Sequence, residues 1–152
     1  MIGDDKLIAL SGTWVGSEQL LPTAWTPAGT AEGKFVIATA PAGVLVIDYT
    51  ETRDGSTALS GHGVVAEDGW WWFDSYGFVP RQPGIARWEH GTLELERRSE
   101  RGRTVMRLEP RGRLLNCEIV SAVPADAELA PMLIGRYERC GREDCHQRPS
   151  GL

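Results

Sequence analysis

The segment Gly69-Trp70-Trp71-Trp72-Phe73-Asp74-Ser75-Tyr76 carries several bulky rings beside one carboxylate, and its composition is typical of an extended strand. Successive side chains of a β-strand point to opposite faces, so the even-numbered ones would share a face. Rings would then be plentiful on both faces. A strand of an ordinary sandwich needs only one such face. The pattern therefore favours the wall of a closed sheet that packs on one side and lines an aromatic cavity on the other.

Length and composition indicate one globular domain. The chain has 152 residues, of which 41% are hydrophobic and 24% charged, enough to bury a core without metals or disulfides. A formal net charge of -5 gives no overall attraction to phosphate or to anionic lipid, so we expect neither a nucleic acid nor a membrane partner. The apolar stretch Leu7 to Leu10 is too short for a secretory signal, and three cysteines make no disulfide framework. We therefore expect a cytoplasmic protein.

Turn-forming residues recur at short intervals, as at Asp54-Gly55, Asp68-Gly69 and His90-Gly91, and the segments between them have strand length. About ten strands are predicted, near residues 13–20, 33–39, 44–52, 57–66, 70–79, 85–89, 92–98, 104–109, 114–122 and 132–140. Helical turns are predicted only in the first ten residues and at 125–129, after Pro124.

The absence of crossover helices in this pattern argues against a parallel sheet. Consecutive hairpins remain, and closing them into a barrel removes the exposed edges of a long meander. The predicted fold is all-β: an antiparallel up-and-down barrel of about ten strands with a short N-terminal helical turn. Residues 1–140 would form the single domain, and residues 141–152 a flexible polar tail.

The start of the first predicted strand, Leu10-Ser11-Gly12-Thr13-Trp14-Val15-Gly16, is similar to the opening of lipocalin-like (calycin) barrels. In that superfamily the tryptophan commonly plugs one end of the barrel and packs against an arginine late in the chain. Arg136 and Arg139 are the positions that could supply this arginine.

The middle of the chain resembles one group within that superfamily. Gly61-His62-Gly63-Val64, followed by Trp72-Phe73-Asp74-Ser75 and Gly77, looks like the bacterial DUF1579 group of lipocalin-like proteins. The resemblance covers most of residues 10–139. It implies a barrel and a ligand cavity, and it implies no reaction.

A hairpin with residues 67–69 as its loop would place His62 directly across from Asp74. This pair, bracketed by Trp72 and Tyr76, could orient a polar group of a ligand in an apolar cavity. The alternative is that His62 and Asp74 form a solvated pair on the outer face. A register shift of one residue would instead turn His62 toward Ser75.

Arg107 has the same parity as Val105, which could place its guanidinium inside the barrel to meet a ligand carboxylate. The alternative is that Arg107 points to solvent. The predicted ligand-binding residues are therefore His62, Trp72, Asp74, Tyr76 and Arg107. No catalytic residue, metal ligand or cofactor is predicted.

Three other features favour structural interpretations. Cys140, Cys145 and His146 lie within seven residues, but a structural zinc site needs a fourth ligand, so we expect free or oxidised cysteines there. The basic run from Arg97 to Arg103 is interpreted as a solvated hairpin tip. Aromatic rings elsewhere are interpreted mainly as core packing: Trp25, Phe35, Tyr49 and Trp88.

The leading hypothesis for function is a binding protein for a small, largely apolar or aromatic molecule. One alternative is a nitrobindin-like haem-binding barrel, although the late proximal histidine of those proteins has no counterpart between Gly91 and Cys145. Another is a small isomerase or hydrolase that uses His62 and Asp74 as an acid–base pair, but no nucleophile motif supports it. A barrel mouth or an outer aromatic face can also support a homodimer.

Overall fold

The computed structural model describes residues 3–24 and 27–141. One helix, α1 (Asp4–Leu10), precedes ten strands, and a short 3-10 turn (Pro41–Gly43) leads into the third of them. The strands are β1 (Gly12–Leu20), β2 (Gly29–Ala40), β3 (Val44–Arg53), β4 (Ser56–Ala66), β5 (Gly69–Asp74), β6 (Ile85–Glu89), β7 (Thr92–Ser99), β8 (Gly102–Arg111), β9 (Leu114–Ala122) and β10 (Ala130–Arg139).

All ten strands belong to one antiparallel sheet in the order β5-β4-β3-β2-β1-β10-β9-β8-β7-β6. β1 and β10, the first and last strands of the chain, pair with each other in the middle of this order. The sheet curls until its two edge strands, β5 and β6, meet. There the Gly84 N–H donates to the Trp70 carbonyl at 2.7 Å, and the Trp70 N–H donates to the Gly84 carbonyl at 3.2 Å. The prediction of an all-β antiparallel up-and-down barrel is confirmed, with the barrel nearly closed.

Two predicted elements differ from the structure. The strand predicted at 70–79 ends at Asp74, where a turn begins. The helical turn predicted at 125–129 is a simple turn, in which the Ala127 N–H donates to the Pro124 carbonyl at 2.9 Å. In the described ranges no helix is long and apolar enough to cross a membrane.

One end of the barrel is closed by Trp14, which is fully buried. Its Nε1 donates to the Leu10 carbonyl at 2.9 Å, which ties the end of α1 to the core. The Arg139 guanidinium lies 4.3 Å from the centre of the Trp14 ring, and its Nη2 donates to the Ala9 carbonyl at 2.9 Å. Of the two arginines proposed from the sequence, Arg139 is therefore the one that packs on the tryptophan.

The barrel interior is filled at this end and hollow at the other. Several leucines of the core cluster that contains Trp14 have no exposed surface: Leu10, Leu45, Leu93, Leu108 and Leu115. They come from the ends of α1 and of strands that all reach the same end of the barrel. The opposite half of the barrel contains a cavity that is lined by charged as well as apolar side chains.

Candidate functional site

A cavity of about 240 Å³ occupies the open half of the barrel. Its apolar wall comes mainly from seven strands and the segment after β1: Leu20, Leu21, Leu59, Trp70, Trp72, Leu95, Met106, Ile119 and Leu133. Four charged side chains also line it: Glu51, Arg53, Asp74 and Arg97. A mostly apolar chamber with a few polar groups is the usual form of a small-molecule site.

Two shallower recesses adjoin the cavity at its mouth. One, of about 510 Å³, lies between residues 77–84 and the β7–β8 hairpin, and the other, of about 170 Å³, lies beside the β8–β9 strands. Both are more open to solvent than the barrel cavity and have more polar walls. Arg97 borders all three spaces, so it stands where the mouth meets the interior.

Trp72 forms one wall of the cavity, as the even-numbered face of its strand was expected to do. Trp70 and Trp72 are 3% and 6% exposed, whereas Phe73 on the outer face is 41% exposed. The Trp72 ring lies against the backbone of Gly61 and Gly63 on the neighbouring strand, where a methyl group at Gly61 would overlap it. The two glycines thus make room for an indole that lies flat against β4.

Asp74 holds this wall in place with both carboxylate oxygens. Oδ2 accepts a hydrogen bond from Trp72 Nε1 at 3.1 Å, and Oδ1 accepts from the backbone N–H groups of Tyr76 and Phe78 at 3.0 and 3.3 Å. These backbone bonds turn the chain and end β5. Asp74 therefore orients the Trp72 indole, while the 66% exposed Tyr76 borders the mouth of the cavity.

His62 lies on the outer face, and the predicted pairing of His62 with Asp74 is wrong by one residue. The hairpin loop has two residues, so Ala66 pairs with Gly69, His62 with Phe73, and Gly61 with Asp74. Gly69 belongs to the strand, where Pro83 and the Gly84 carbonyl leave no room for a side chain. The His62 ring contacts Asp48, with Nδ1 2.6 Å from Oδ1. His62 and Asp74 thus lie on opposite faces, which removes the basis for an acid–base pair.

Arg107 also lies on the outer face. Its guanidinium donates to Glu94 at 3.0 Å and to Glu118 at 2.8 Å, on the two neighbouring strands. Val105 is buried outside the core cluster, whereas Met106 and Leu108 are the inward residues of β8, so the parity of Val105 does not place Arg107 inside. Of the two orientations that the sequence left open, Arg107 has the outward one.

Arg97, interpreted from the sequence as part of a solvated tip, is the arginine that points inward. It follows Leu93 and Leu95 at a spacing of two, and both of these are buried in the core. The alternation of Leu93, Leu95 and Arg97 could have identified Arg97 as an inward residue. The basic residues that follow it favoured an exposed hairpin tip instead. Its guanidinium carbon lies 4.3 Å from the centre of the Phe78 ring. Burial lowers its pKa, and the charge of Asp74 partly opposes this effect.

A buried carboxyl cluster, which the sequence analysis did not predict, forms the floor of the cavity: Tyr49, Glu51 and Arg53 line the cavity, and Glu18 and Tyr137 are bonded to this group without lining it. Glu18 and Glu51 are each 3% exposed. The Tyr137 hydroxyl donates to Glu18 Oε2 at 2.5 Å, and the Tyr49 hydroxyl lies 2.7 and 2.8 Å from the two Glu18 oxygens. Arg53 donates to Glu51 at 2.5 Å. The inward parity of Glu18 between Trp14 and Leu20 in β1 was the signal that could have revealed it.

Burial dominates the electrostatics of this floor. It raises the pKa of Glu18, although the hydrogen bonds from Tyr137 and Tyr49 act in the opposite direction. Burial and the nearby carboxylates also raise the pKa of both tyrosines, which keeps the phenols protonated as donors. The floor is a satisfied polar network, with a donor or a partner for each carboxyl group.

The described residues offer the cavity no histidine ligand and no metal cluster. His62 and His90 both lie away from the cavity, and no group of three metal-ligating side chains occurs in residues 3–24 and 27–141. Cys140 is disulfide-bonded. Trp25, Cys145 and His146 lie outside the described residues, so the predictions made for them stay predictions.

Comparison with known proteins supports the architecture and adds no chemistry. The sequence matches no protein-family model and no curated protein. The structure is similar to the crystal structure of Rv2717c from M. tuberculosis, with a TM-score of 0.70 and 14% sequence identity, covering 90% of this chain and 96% of that one. A likeness at this identity shows the fold alone. The chain is thus a ten-stranded antiparallel barrel that shares its architecture with that structure.

Proposed function

We propose that this protein binds a small, largely apolar or aromatic molecule inside the barrel. The observation that carries the proposal is the cavity of about 240 Å³, enclosed by Trp70, Trp72 and aliphatic side chains. Drug-sized ligands usually occupy about 300 to 1,000 Å³, so this volume suits a smaller guest of one or two rings.

Affinity would come mainly from removing apolar surface from water. The gain is about 25 cal/mol per Å², reduced by the cost of immobilising the guest. Trp72 offers a flat ring whose edge nitrogen is already bonded to Asp74, so its orientation is fixed before a ligand arrives. A preorganised aromatic wall of this kind favours planar ligands.

We also propose that the protein belongs to the lipocalin-like barrels. The Gly-Thr-Trp opening, the packing of Arg139 on Trp14 and the up-and-down order of strands support a place among lipocalin-like barrels. The sequence pattern from Gly61 to Gly77 supports the DUF1579 group within them. Such a barrel can take up a guest through its unplugged end.

Isothermal titration with 2-naphthamide, a neutral two-ring probe, tests the binding function. We expect saturable binding with one site per chain. Leu59→Trp places a bulky ring at the half-buried cavity wall and should weaken binding at least about tenfold by occupying the space. Leu114→Trp, at a side chain that is 51% exposed and far from the cavity, is the matched control. Equal affinities in the two variants would place the probe outside the barrel.

A further inference from the structure

We propose that the ligand is a small apolar acid whose single carboxylate pairs with Arg97, while its ring or chain lies against Trp72. This inference rests on the proposed binding function and adds to it the charge of the ligand. Four charged side chains line the cavity, and among the residues that the structure describes only one of the four has a buried polar atom without a hydrogen-bond partner.

Glu51, Arg53 and Asp74 are engaged with neighbours. Glu51 accepts from Arg53 at 2.5 Å and from the Tyr49 hydroxyl at 3.1 Å. Asp74 uses both oxygens on Trp72 and on the turn that follows it. A cationic ligand would therefore find no free carboxylate among the described residues of the cavity wall.

Arg97 differs from these three. Its Nη1 is buried and, within residues 3–24 and 27–141, has no hydrogen-bond partner. Asp74 influences Arg97 through space, but no Arg97 nitrogen lies within ion-pair distance of a described carboxylate. A buried charged donor without an acceptor is costly, and an anion that accepts from it removes that cost.

Phe78 helps to aim the guanidinium. The Arg97 guanidinium carbon lies 4.3 Å from the centre of the Phe78 ring, so the ring supports the cation without supplying an acceptor. The backbone of Phe78 is in turn bonded to Asp74. Arg97 and the Trp72 wall are therefore positioned by the same turn, with the charged group toward the mouth and the indole inside.

The mouth has the charge that would attract an anion. The recesses that adjoin Arg97 are lined by further arginines: Arg81, Arg98, Arg101 and Arg103. Within the part of the chain that the structure describes, only Asp74 and Glu100 supply carboxylates to the same walls, although the whole chain carries a net charge of -5. Arg98 faces Glu96 and Asp126, whereas no described carboxylate pairs with Arg81, Arg101 or Arg103. A concentrated positive rim of this kind speeds the arrival of anions.

The shape and charge of the site together define the ligand class. A carboxylate matches the planar guanidinium, and the apolar body would fill the space between Trp70, Trp72 and Met106. A ligand without an acceptor would leave Arg97 Nη1 unpaired, and a neutral acceptor would leave the charge of the guanidinium uncompensated. The cavity volume limits the acid to about the size of a two-ring aromatic carboxylate.

Isothermal titration at neutral pH with 2-naphthoate and 2-naphthamide separates the charge from the apolar body, since the two probes have nearly the same shape. We expect the wild-type protein to bind 2-naphthoate at least about tenfold more tightly than 2-naphthamide, because the carboxylate forms an ion pair with the guanidinium, whereas the neutral amide carbonyl is a weaker acceptor. Arg97→Met should remove that preference, so that the variant binds the two probes with nearly equal affinity.

Arg107→Met is the matched control, because it removes the same charge from an outer-face arginine one strand away. It should keep the preference for 2-naphthoate. Arg97→Lys, which retains the charge without the planar fork, should give an intermediate preference and serves if Arg97→Met does not fold.

The outcomes distinguish this inference from the proposed function. Binding of 2-naphthamide with no preference for 2-naphthoate in the wild type would overturn the role of Arg97 and leave the apolar cavity in place. An unchanged preference in both Arg97 variants would do the same. Failure of both probes to bind wild-type protein would overturn the binding function itself.

Discussion

The indole ring of Trp72 lies against the backbone of Gly61, at a position where any other residue would project a side chain into the ring. Gly61 pairs with Asp74 across the β4–β5 hairpin, so the glycine, the indole and the carboxylate that holds the indole form one unit. The Trp72 ring can therefore lie flat in the cavity wall only because Gly61, on the neighbouring strand, has no side chain.

Gly61→Ala should displace the Trp72 ring into the cavity. We expect an unfolding free energy about 1 to 3 kcal/mol lower, as for other overpacked cores, together with weaker binding of 2-naphthamide. Urea unfolding and titration measure the two effects. Gly29→Ala is the control, because a methyl group there meets nothing within 4 Å. Equal stability and affinity in the two variants would show that Trp72 does not depend on Gly61.

Trp72→Ala should weaken binding of a planar aromatic probe about tenfold, because the ligand loses its largest flat contact. Phe73→Ala is the control, since it removes the adjacent ring from the outer face, where Phe73 is 41% exposed. Titration with 2-naphthamide measures both variants. A loss of affinity in Phe73→Ala as large as that in Trp72→Ala would contradict the assignment of the inner face.

Glu18→Gln tests the buried floor through its pH dependence. Burial raises the pKa of Glu18 above its ordinary value of 4.5, so the folded protein holds this proton more tightly than the unfolded chain does. The contribution of this proton to the free energy of unfolding is fully present below pH 4.5, the pKa of Glu18 in the unfolded chain. It is lost as the pH rises through the higher pKa of Glu18 in the folded protein. The glutamine variant has no such proton to lose.

The stability of Glu18→Gln relative to the wild type should therefore improve as the pH rises above 4.5. Urea unfolding at several pH values measures the difference. Glu32→Gln, at an exposed carboxyl group on the neighbouring strand, controls for the removal of one charge. A relative stability of Glu18→Gln that stays constant or falls with pH would contradict a raised pKa.

The barrel itself could be predicted from the sequence, and the orientation of particular side chains could not. Strand positions follow from turn residues and alternation, which are local, and the inward face of Trp72 follows from the same period. The partner of His62 depends on whether Gly69 ends a loop or begins a strand. That choice is decided by Pro83 and Gly84, which pack on Gly69 from the far edge of the barrel.

Arg97 and Arg107 also show that the orientation of a single side chain is difficult to predict from the sequence. The parity of Val105 is a poor guide to Arg107, because Val105 is buried outside the core cluster. The charge of the residues around Arg97 favours a solvated tip, although Arg97 lines the cavity. The alternation of Leu93, Leu95 and Arg97 is the better guide, because two buried leucines in sequence define the inner face of β7. Apolar periodicity identifies a face only where it extends over several residues of the same strand.

The seam between β5 and β6 provides the last prediction. Gly84 lies against the Trp70 indole, whose Nε1 donates to the Glu96 carbonyl at 2.9 Å, and a methyl group at Gly84 would overlap both groups. Gly84→Ala should therefore break this bond and the two backbone bonds between Trp70 and Gly84. At about 1 kcal/mol for each hydrogen bond, we expect a loss of about 2 to 3 kcal/mol of unfolding free energy.

Hydrogen exchange distinguishes an opened seam from a general loss of stability. In Gly84→Ala the Trp70 amide should exchange faster relative to amides at the β1–β10 pairing, which lies on the opposite side of the barrel. Gly29→Ala should leave both unchanged. If protection fell equally at Trp70 and at β1–β10, the seam would share the cooperativity of the whole sheet, and the barrel would not open first where its two edge strands meet.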